Sequence, residues 1–175
     1  MRIACLLSSM FEDTEFQAPY QAFREAGHQV LVVGSKGGEE LEGYRGKVSQ
    51  KTDRGISEAR PDEFDALFIP GGYSPDHLRA DPHVVDFARS MVESGRPCFA
   101  ICHGPQLLIT ADVVQGRRMT AWPTIQGDLR KVGANVADEE VVVDDGMVTS
   151  RRPDDIPAFV NAALATLEER APTRH

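Results

Sequence analysis

The sequence has 175 residues, 41% of them hydrophobic and 26% charged, and these ordinary globular proportions exclude a disordered, collagen-like or coiled-coil chain. The formal net charge is −8, and no run of basic residues is longer than two. Because nucleic acids and anionic membranes are bound by clustered Lys and Arg, we expect no dedicated nucleic-acid surface and no membrane partner. No stretch reaches the length of about 20 apolar residues that a membrane span needs. We therefore expect a single domain over residues 1–175.

Short apolar runs alternate with longer amphipathic segments, which is typical of βαβ units. In chain order the predicted elements are a strand at 3–7, a helix at 15–26, a strand at 28–33, a weak strand at 47–50, a strand at 65–69, a helix at 82–94, a strand at 97–101, a helix at 104–114, a short strand at 118–121, a helix at 125–132, a hairpin of strands 141–143 and 147–149, and a helix at 154–170. This order predicts an α/β fold whose mostly parallel sheet is covered by helices on both faces.

Ligands of such folds bind beyond the carboxyl ends of the strands, where the sequence places two turns, 70–72 and 102–104. In the second turn a buried strand leads directly into Cys102, between the small residues Ala100 and Gly104. This pattern is the cysteine counterpart of a strained nucleophile elbow. The N–H groups and dipole of the following helix are expected to favour the thiolate of Cys102 and to stabilise an oxyanion. The alternative is a cysteine buried as a small apolar residue.

The sequence contains three cysteines, an odd and sparse set that predicts no disulfide framework and a reducing, cytoplasmic location. Cys5 and Cys98 lie within predicted strands, and we expect both to be core residues. Cys98 and Cys102 are four residues apart and do not form a C-x-x-C pair, so no metal site is predicted.

A thiol nucleophile needs an acid/base partner, and the sequence has five histidines to choose from: His28, His77, His83, His103 and His175. Class I glutamine amidotransferases supply the histidine from a segment near the C-terminus. The corresponding segment here, TSRRPDDIP, contains none, and His175 lies in a polar tail. His103, next to the nucleophile, is the histidine that could act as acid/base or donate to an oxyanion; the alternative is a surface turn residue.

Glu12 is the second partner that the sequence offers, because it follows the first strand at the same edge of the sheet. A carboxyl group in a partly buried cleft would have a raised pKa and, when protonated, could donate a hydrogen bond to a thiolate. The alternative is that Glu12 or Asp13 caps a helix. Gly71 and Gly72 follow a buried strand there and could turn N–H groups towards a ligand, or simply form a tight turn.

The motifs AICHGPQLL and PGGYSPDHLR, together with FEDTEFQAPYQAFREAGHQV, PTIQGDLRKVGA and GMVTSRRPDDIPAF, run almost from end to end of the chain. They resemble the PfpI branch of the ThiJ/PfpI superfamily. The resemblance implies a three-layer, flavodoxin-like sandwich of the class I glutamine amidotransferase type, without a cofactor. It implies that Cys102 is the nucleophile with His103 beside it, that Glu12 contacts the thiol, and that Gly72 and the His103 backbone form the oxyanion site.

The same resemblance implies a homodimer or hexamer, in which an acidic residue of a neighbouring subunit orients the histidine of peptidase-like members. The matching residue is Asp76, one methylene shorter than the glutamate of the archetype. Trp122 matches an aromatic position near the pocket mouth.

The activities of the family are diverse, and three functions stay open. The first is cysteine-dependent conversion of reactive aldehydes or early glycation adducts, as in glyoxalase or deglycase reactions. The second is an intracellular cysteine peptidase acting on peptide substrates, which depends on His103 and Asp76. The third is a non-enzymatic oxidative-stress sensor or chaperone, in which a reactive thiol is oxidised. We expect a stress-response enzyme, with aldehyde chemistry ahead of peptidase activity.

Overall fold

The computed structural model describes residues 1–171, so His175 lies outside the described residues. The strands of this part of the chain are β1 (Arg2–Leu6), β2 (Gln29–Gly34), β3 (Glu40–Glu42), β4 (Ser49–Lys51), β5 (Arg54–Gly55), β6 (Ala66–Ile69), β7 (Cys98–Ile101), β8 (Arg118–Met119), β9 (Asn135–Val136), β10 (Val142–Asp144) and β11 (Met147–Ser150). Its helices are α1 (Asp13–Glu25), α2 (Ser74–Leu78), α3 (Pro82–Glu93), α4 (Pro105–Thr110), α5 (Pro123–Lys131) and α6 (Ile156–Arg170). Among the described residues no helix is long and apolar enough to cross a membrane.

A seven-stranded sheet in the order β10-β11-β7-β6-β1-β2-β5 forms the centre of the fold. Every neighbouring pair is parallel except the β10–β11 hairpin. The five long parallel strands β1, β2, β6, β7 and β11 follow the flavodoxin-like order 2-1-3-4-5. The predicted parallel sheet and the predicted hairpin are confirmed. In this topology the strand order reverses between β1 and β6, which marks the usual ligand-binding edge.

The sheet is buried on both faces because its strands alternate between two apolar cores. Ala4 and Leu6 of β1 pack into one core, and Ile3 and Cys5 pack into the other. Helices α3, α4 and α5 cover the first core, whereas α1 and α6 cover the second. The predicted three-layer sandwich is therefore confirmed.

The structure departs from the predicted elements at three places that affect the site. Helix α1 begins two residues earlier than expected, at Asp13. Helix α4 ends at Thr110, not at 114, because Asp112 adopts a left-handed φ of 58° that stops the helix. Helix α2 (Ser74–Leu78), one turn directly after the Gly71–Gly72 turn, was not predicted.

Candidate active site

Cys102 occupies a strained turn between β7 and α4. Its φ is +63°, a left-handed conformation that non-glycine residues rarely adopt. The turn is also crowded, since a Cβ atom at Gly104 would lie 2.6 Å from the carbonyl oxygen of Ile69. The predicted nucleophile elbow is thus present, and Gly104 is required for the reason that the sequence suggested.

The sulfur of Cys102 is nearly buried, with 6% of the residue exposed. Its Sγ lies 3.3 Å from Nδ1 of His103, and the backbone N–H groups of His103 and Gly72 donate to it. Burial raises the pKa of the Cys102 thiol, the carboxyl group of Glu15 raises it further, and the two N–H groups lower it. Burial is the largest of these effects, so a thiolate here needs stabilisation by the groups around the sulfur.

The predicted effect of the following helix on the thiol needs correction. Helix α4 has only six residues, and its first residue, Pro105, has no N–H group. The macrodipole of so short a helix is small. The groups that favour a thiolate are therefore the two N–H groups of the turns and a proton held next to the sulfur.

The carboxyl group that faces the sulfur is that of Glu15, and the prediction that Glu12 contacts the thiol is wrong. Glu15 is fully buried in the first turn of α1. Neither of its carboxyl oxygens makes a hydrogen bond of ordinary length and angle. The polar groups that face the carboxyl group are the Cys102 thiol and the Gly71 N–H. Burial raises the pKa of Glu15, and the negative charge of Glu12 raises it further. Burial thus favours the neutral, protonated form of Glu15, beside the thiol.

Glu12 is the N-cap of α1, which was the alternative interpretation. One of its carboxyl oxygens accepts hydrogen bonds from the Glu15 N–H at 2.8 Å and the Thr14 hydroxyl at 2.6 Å. The other accepts from Nε of Arg45 at 2.8 Å. A signal for Glu15 was present in the sequence, because an N-cap at Glu12 places the residue three positions later over the start of the helix.

Gly71 and Gly72 allow the two sides of the site to approach each other. A Cβ atom on Gly71 would overlap Oε1 of Glu15 and lie 2.8 Å from Cβ of Cys102. Gly72 has a φ of +81°, and a Cβ there would lie 2.6 Å from the carbonyl oxygen of Met10. The geometry fits the predicted role of Gly72 as an N–H donor, whereas Gly71 makes room for the Glu15 carboxyl group.

The site opens into a cavity of about 480 Å³. Six of the seven residues singled out in the sequence line it, namely Cys102, His103, Glu12, Asp76, Gly72 and Trp122. The indole of Trp122 stacks on the His103 ring, with centroids 5.8 Å apart and planes inclined by 25°. Six further residues line it without having been predicted, and three of these are Tyr44, Arg45 and Tyr73. They lie in segments without hydrophobic periodicity, which therefore gave no signal.

His103 and Asp76 are not paired within the described part of the chain. The Asp76 carboxylate accepts a hydrogen bond from Nε of Arg79 at 2.9 Å, and more than half of the Asp76 side chain is exposed. Burial lowers the pKa of His103, so its ring is neutral near pH 7 and can either accept or donate a proton. The role of Asp76 towards a neighbouring subunit stays a prediction.

The other two cysteines are core residues, as expected. Cys5 lies in β1 and Cys98 in β7, and both are free and buried. Burial raises the pKa of Cys5 well above its usual value and that of Cys98 to about 12. Neither thiol lines the cavity, so neither competes with Cys102 as a nucleophile. Residues 1–171 contain no group of three or more His, Cys, Asp or Glu side chains that could hold a metal ion.

Two bacterial proteins are similar to this chain over nearly its whole length. Protein/nucleic acid deglycase 2 of Escherichia coli (strain K12) is 52% identical over 167 residues, which are 95% of this chain and 97% of that protein. General stress protein 18 of Bacillus subtilis (strain 168) is 47% identical over 169 residues, which are 96% of this chain and 98% of that protein.

A solved structure agrees with the fold. The crystal structure of a two-domain protein from Anabaena variabilis, with DJ-1/ThiJ/PfpI-like and ferritin-like domains, superposes with a TM-score of 0.93 at 40% identity. The match covers 95% of this chain and 48% of that one, so this chain spans about half of the two-domain protein. A sequence model of the DJ-1/PfpI family matches residues 1–166. With the elbow cysteine, its buried acid and this sheet in place, the chain belongs to the DJ-1/PfpI family.

Proposed function

We propose that this protein is a cysteine-dependent enzyme that converts reactive aldehydes, or the early adducts that they form with amines, into hydroxy acids. The observation that carries the proposal is the burial of Glu15, an otherwise unpaired acid, against the thiol of Cys102. A cavity of about 480 Å³ is of the size that small-molecule ligands occupy. The name of the Escherichia coli relative, a deglycase, agrees with this choice.

Nucleophilic attack requires the thiolate. Once the Cys102–Glu15 pair has lost one of its two protons, the remaining proton can reside on the carboxyl group, because burial raises the pKa of Glu15, and the sulfur is then a thiolate. The thiolate adds to the aldehyde carbon and forms a C–S bond. The oxyanion then faces the N–H groups of Gly72 and His103 and takes the proton of Glu15, which gives a hemithioacetal.

The next step is proton transfer between adjacent carbons of a 2-oxoaldehyde. Glu15, now a carboxylate, removes the proton from the carbon that carries sulfur and returns it to the neighbouring carbon through an enediol. His103 can exchange protons with the oxygen atoms. The product is a thioester of Cys102 with a 2-hydroxy acid. Water hydrolyses the thioester and regenerates the thiol, so the net reaction is the addition of one water molecule without an external oxidant or reductant.

A peptidase reaction would need an additional acid function from the residues of this site. An amide leaving group must be protonated, and this would fall to His103 held by an acid. Within residues 1–171 the His103 ring has a single hydrogen-bond partner, the sulfur of Cys102. Peptide hydrolysis would therefore depend on Asp76 of a neighbouring subunit and would disappear in Asp76→Ala.

The deciding experiment measures the consumption of methylglyoxal and the formation of lactate by the purified protein without added thiol. We expect Cys102→Ser to lower kcat/KM by at least about 100-fold, because the nucleophile is lost. Cys98→Ser is the matched control, since it replaces a buried thiol in the strand that leads to Cys102, and this thiol does not line the cavity. Unchanged turnover in Cys102→Ser would contradict the proposal.

A further inference from the structure

Asp13 is a buried carboxylate that the reaction described above does not use. Only 1% of the residue is exposed. Its Oδ1 accepts a hydrogen bond from the Arg45 N–H at 2.9 Å, and its Oδ2 accepts from the N–H groups of Lys47 and Val48 at 3.0 and 2.9 Å. Three charge-assisted bonds thus join the first turn of α1 to the loop between β3 and β4, residues 43–48.

This loop is shaped to fit the carboxylate. A Cβ atom on Gly43 would overlap the carboxyl group of Asp13, so only glycine fits there. Gly46 has a φ of +70°, and its N–H donates to the Gly43 carbonyl oxygen at 3.0 Å, which closes the turn. The Tyr44 N–H donates to the carbonyl oxygen of Phe11 at 2.9 Å, so the loop also lies against the segment before α1.

The loop places a charged side chain, that of Arg45, at the active site. Nε of Arg45 donates to the Glu12 carboxylate at 2.8 Å, and its guanidinium lies 5.1 Å from the centroid of the Tyr44 ring. Both side chains line the cavity. The charged groups that face Glu15 are Glu12, Arg45 and, when ionised, Cys102; Glu12 raises the pKa of Glu15 and Arg45 lowers it. The position of the loop therefore determines the net charge beside Cys102 and Glu15.

We infer that Asp13 is a positioning residue, which folds residues 43–48 into the cavity wall so that Arg45 neutralises Glu12 beside Cys102 and Glu15. The inference concerns the reactivity of the thiol and holds for any substrate. Without the anchor, Arg45 leaves Glu12, and the uncompensated negative charge makes loss of the first proton from the Cys102–Glu15 pair harder. The reactive thiolate then forms at a higher pH.

The experiment measures the rate of Cys102 alkylation by iodoacetamide between about pH 4 and pH 9. We expect Asp13→Asn to shift the acidic side of the rate–pH profile to higher pH by about half a unit. At a given acidic pH the alkylation rate should then be about threefold lower. Arg45→Met should produce a similar shift. In the double variant the two shifts should not add, since Arg45 no longer reaches Glu12 once the loop is free. Hydrogen exchange at residues 45–48 should also accelerate in Asp13→Asn.

Asp144→Asn is the matched control, because Asp144 accepts the Arg118 N–H at 2.8 Å at the far edge of the sheet and should leave the profile unchanged. If Asp13→Asn does not fold, Gly43→Ala displaces the same loop from the other side and should shift the profile in the same direction. A folded Asp13→Asn with the wild-type profile would overturn the inference, as would shifts that add fully in the double variant. Because alkylation needs no aldehyde, failure here is distinguishable from failure of the proposed function.

Discussion

Replacement of Glu15 by Gln tests the central feature of the site. The substitution preserves the shape of the side chain and an N–H donor for the sulfur, but it removes the transferable proton and the buried carboxyl group. If Glu15 transfers protons between carbons, kcat should fall by about 10²–10⁴-fold. Alkylation of Cys102 should persist, because the carboxyl group that raises the pKa of the thiol is gone and the N–H groups of Gly72 and His103 remain.

The same variant should change the dependence of stability on pH. The pKa of Glu15 is raised on folding, so the folded state binds more protons than the unfolded state between the ordinary Glu value of about 4.3 and the folded value. Stability that is present below about pH 4.3 is therefore lost as pH rises through this window, by about 1.4 kcal/mol for each pH unit. Glu15→Gln should match the wild type near pH 4 and be more stable near pH 7.

Two assays check these expectations: methylglyoxal turnover, and urea unfolding at several pH values. Glu12→Gln is the control, because it removes a neighbouring negative charge and leaves the proton donor in place. It should lower the free energy of unfolding by about 1 kcal/mol through the weakened helix cap and keep most of the turnover. Wild-type kcat in Glu15→Gln, or an unchanged pH dependence of its unfolding, would refute the reasoning.

Two further predictions concern stability, with urea unfolding as the measurement. Gly72→Ala forces a left-handed φ of +81° on alanine and brings its Cβ against backbone atoms, so it should lose at least about 1–3 kcal/mol. Gly127→Ala, within α5 and with no atom near its Cβ, should instead gain about 0.5–1 kcal/mol, and the opposite order of the two glycine variants would contradict this account. Phe99→Ala removes a fully buried ring between the aromatic side chains of the core and should lose about 3–5 kcal/mol; a loss below about 1 kcal/mol would show that this core is not close-packed.

The sheet could be predicted because its signal is local. The runs ALFI of β6 and CFAI of β7 are continuous apolar stretches, as strands buried on both faces require, and all eight residues are buried. The elbow at Cys102 is local too, since its crowding by Gly104 can be inferred from adjacent positions in the sequence.

The acid partner could not be predicted in the same way, because it depends on where a helix begins. With the helix expected from residue 15, Glu12 would lie in a loop and be free to face the thiol. The structure begins α1 at Asp13, which makes Glu12 its cap and turns Glu15 towards the sulfur. An uncertainty of two residues is usual at helix ends, and here it decides which carboxyl group reaches the sulfur. Tyr44 and Arg45 are held by bonds to Phe11 and Asp13 respectively, each more than 30 residues away, which no local pattern reveals.

The role of Glu12 as the N-cap of α1 does not by itself explain why this residue is a glutamate. Ser, Thr, Asp or Asn would serve the backbone N–H groups at the start of α1 at least as well as Glu12. None of them is long enough to meet Arg45 while capping. Residues that only cap the helix should therefore be selected against at position 12. Active relatives should vary less at this position than at the N-cap of α3, where the Asp81 side chain serves the helix alone.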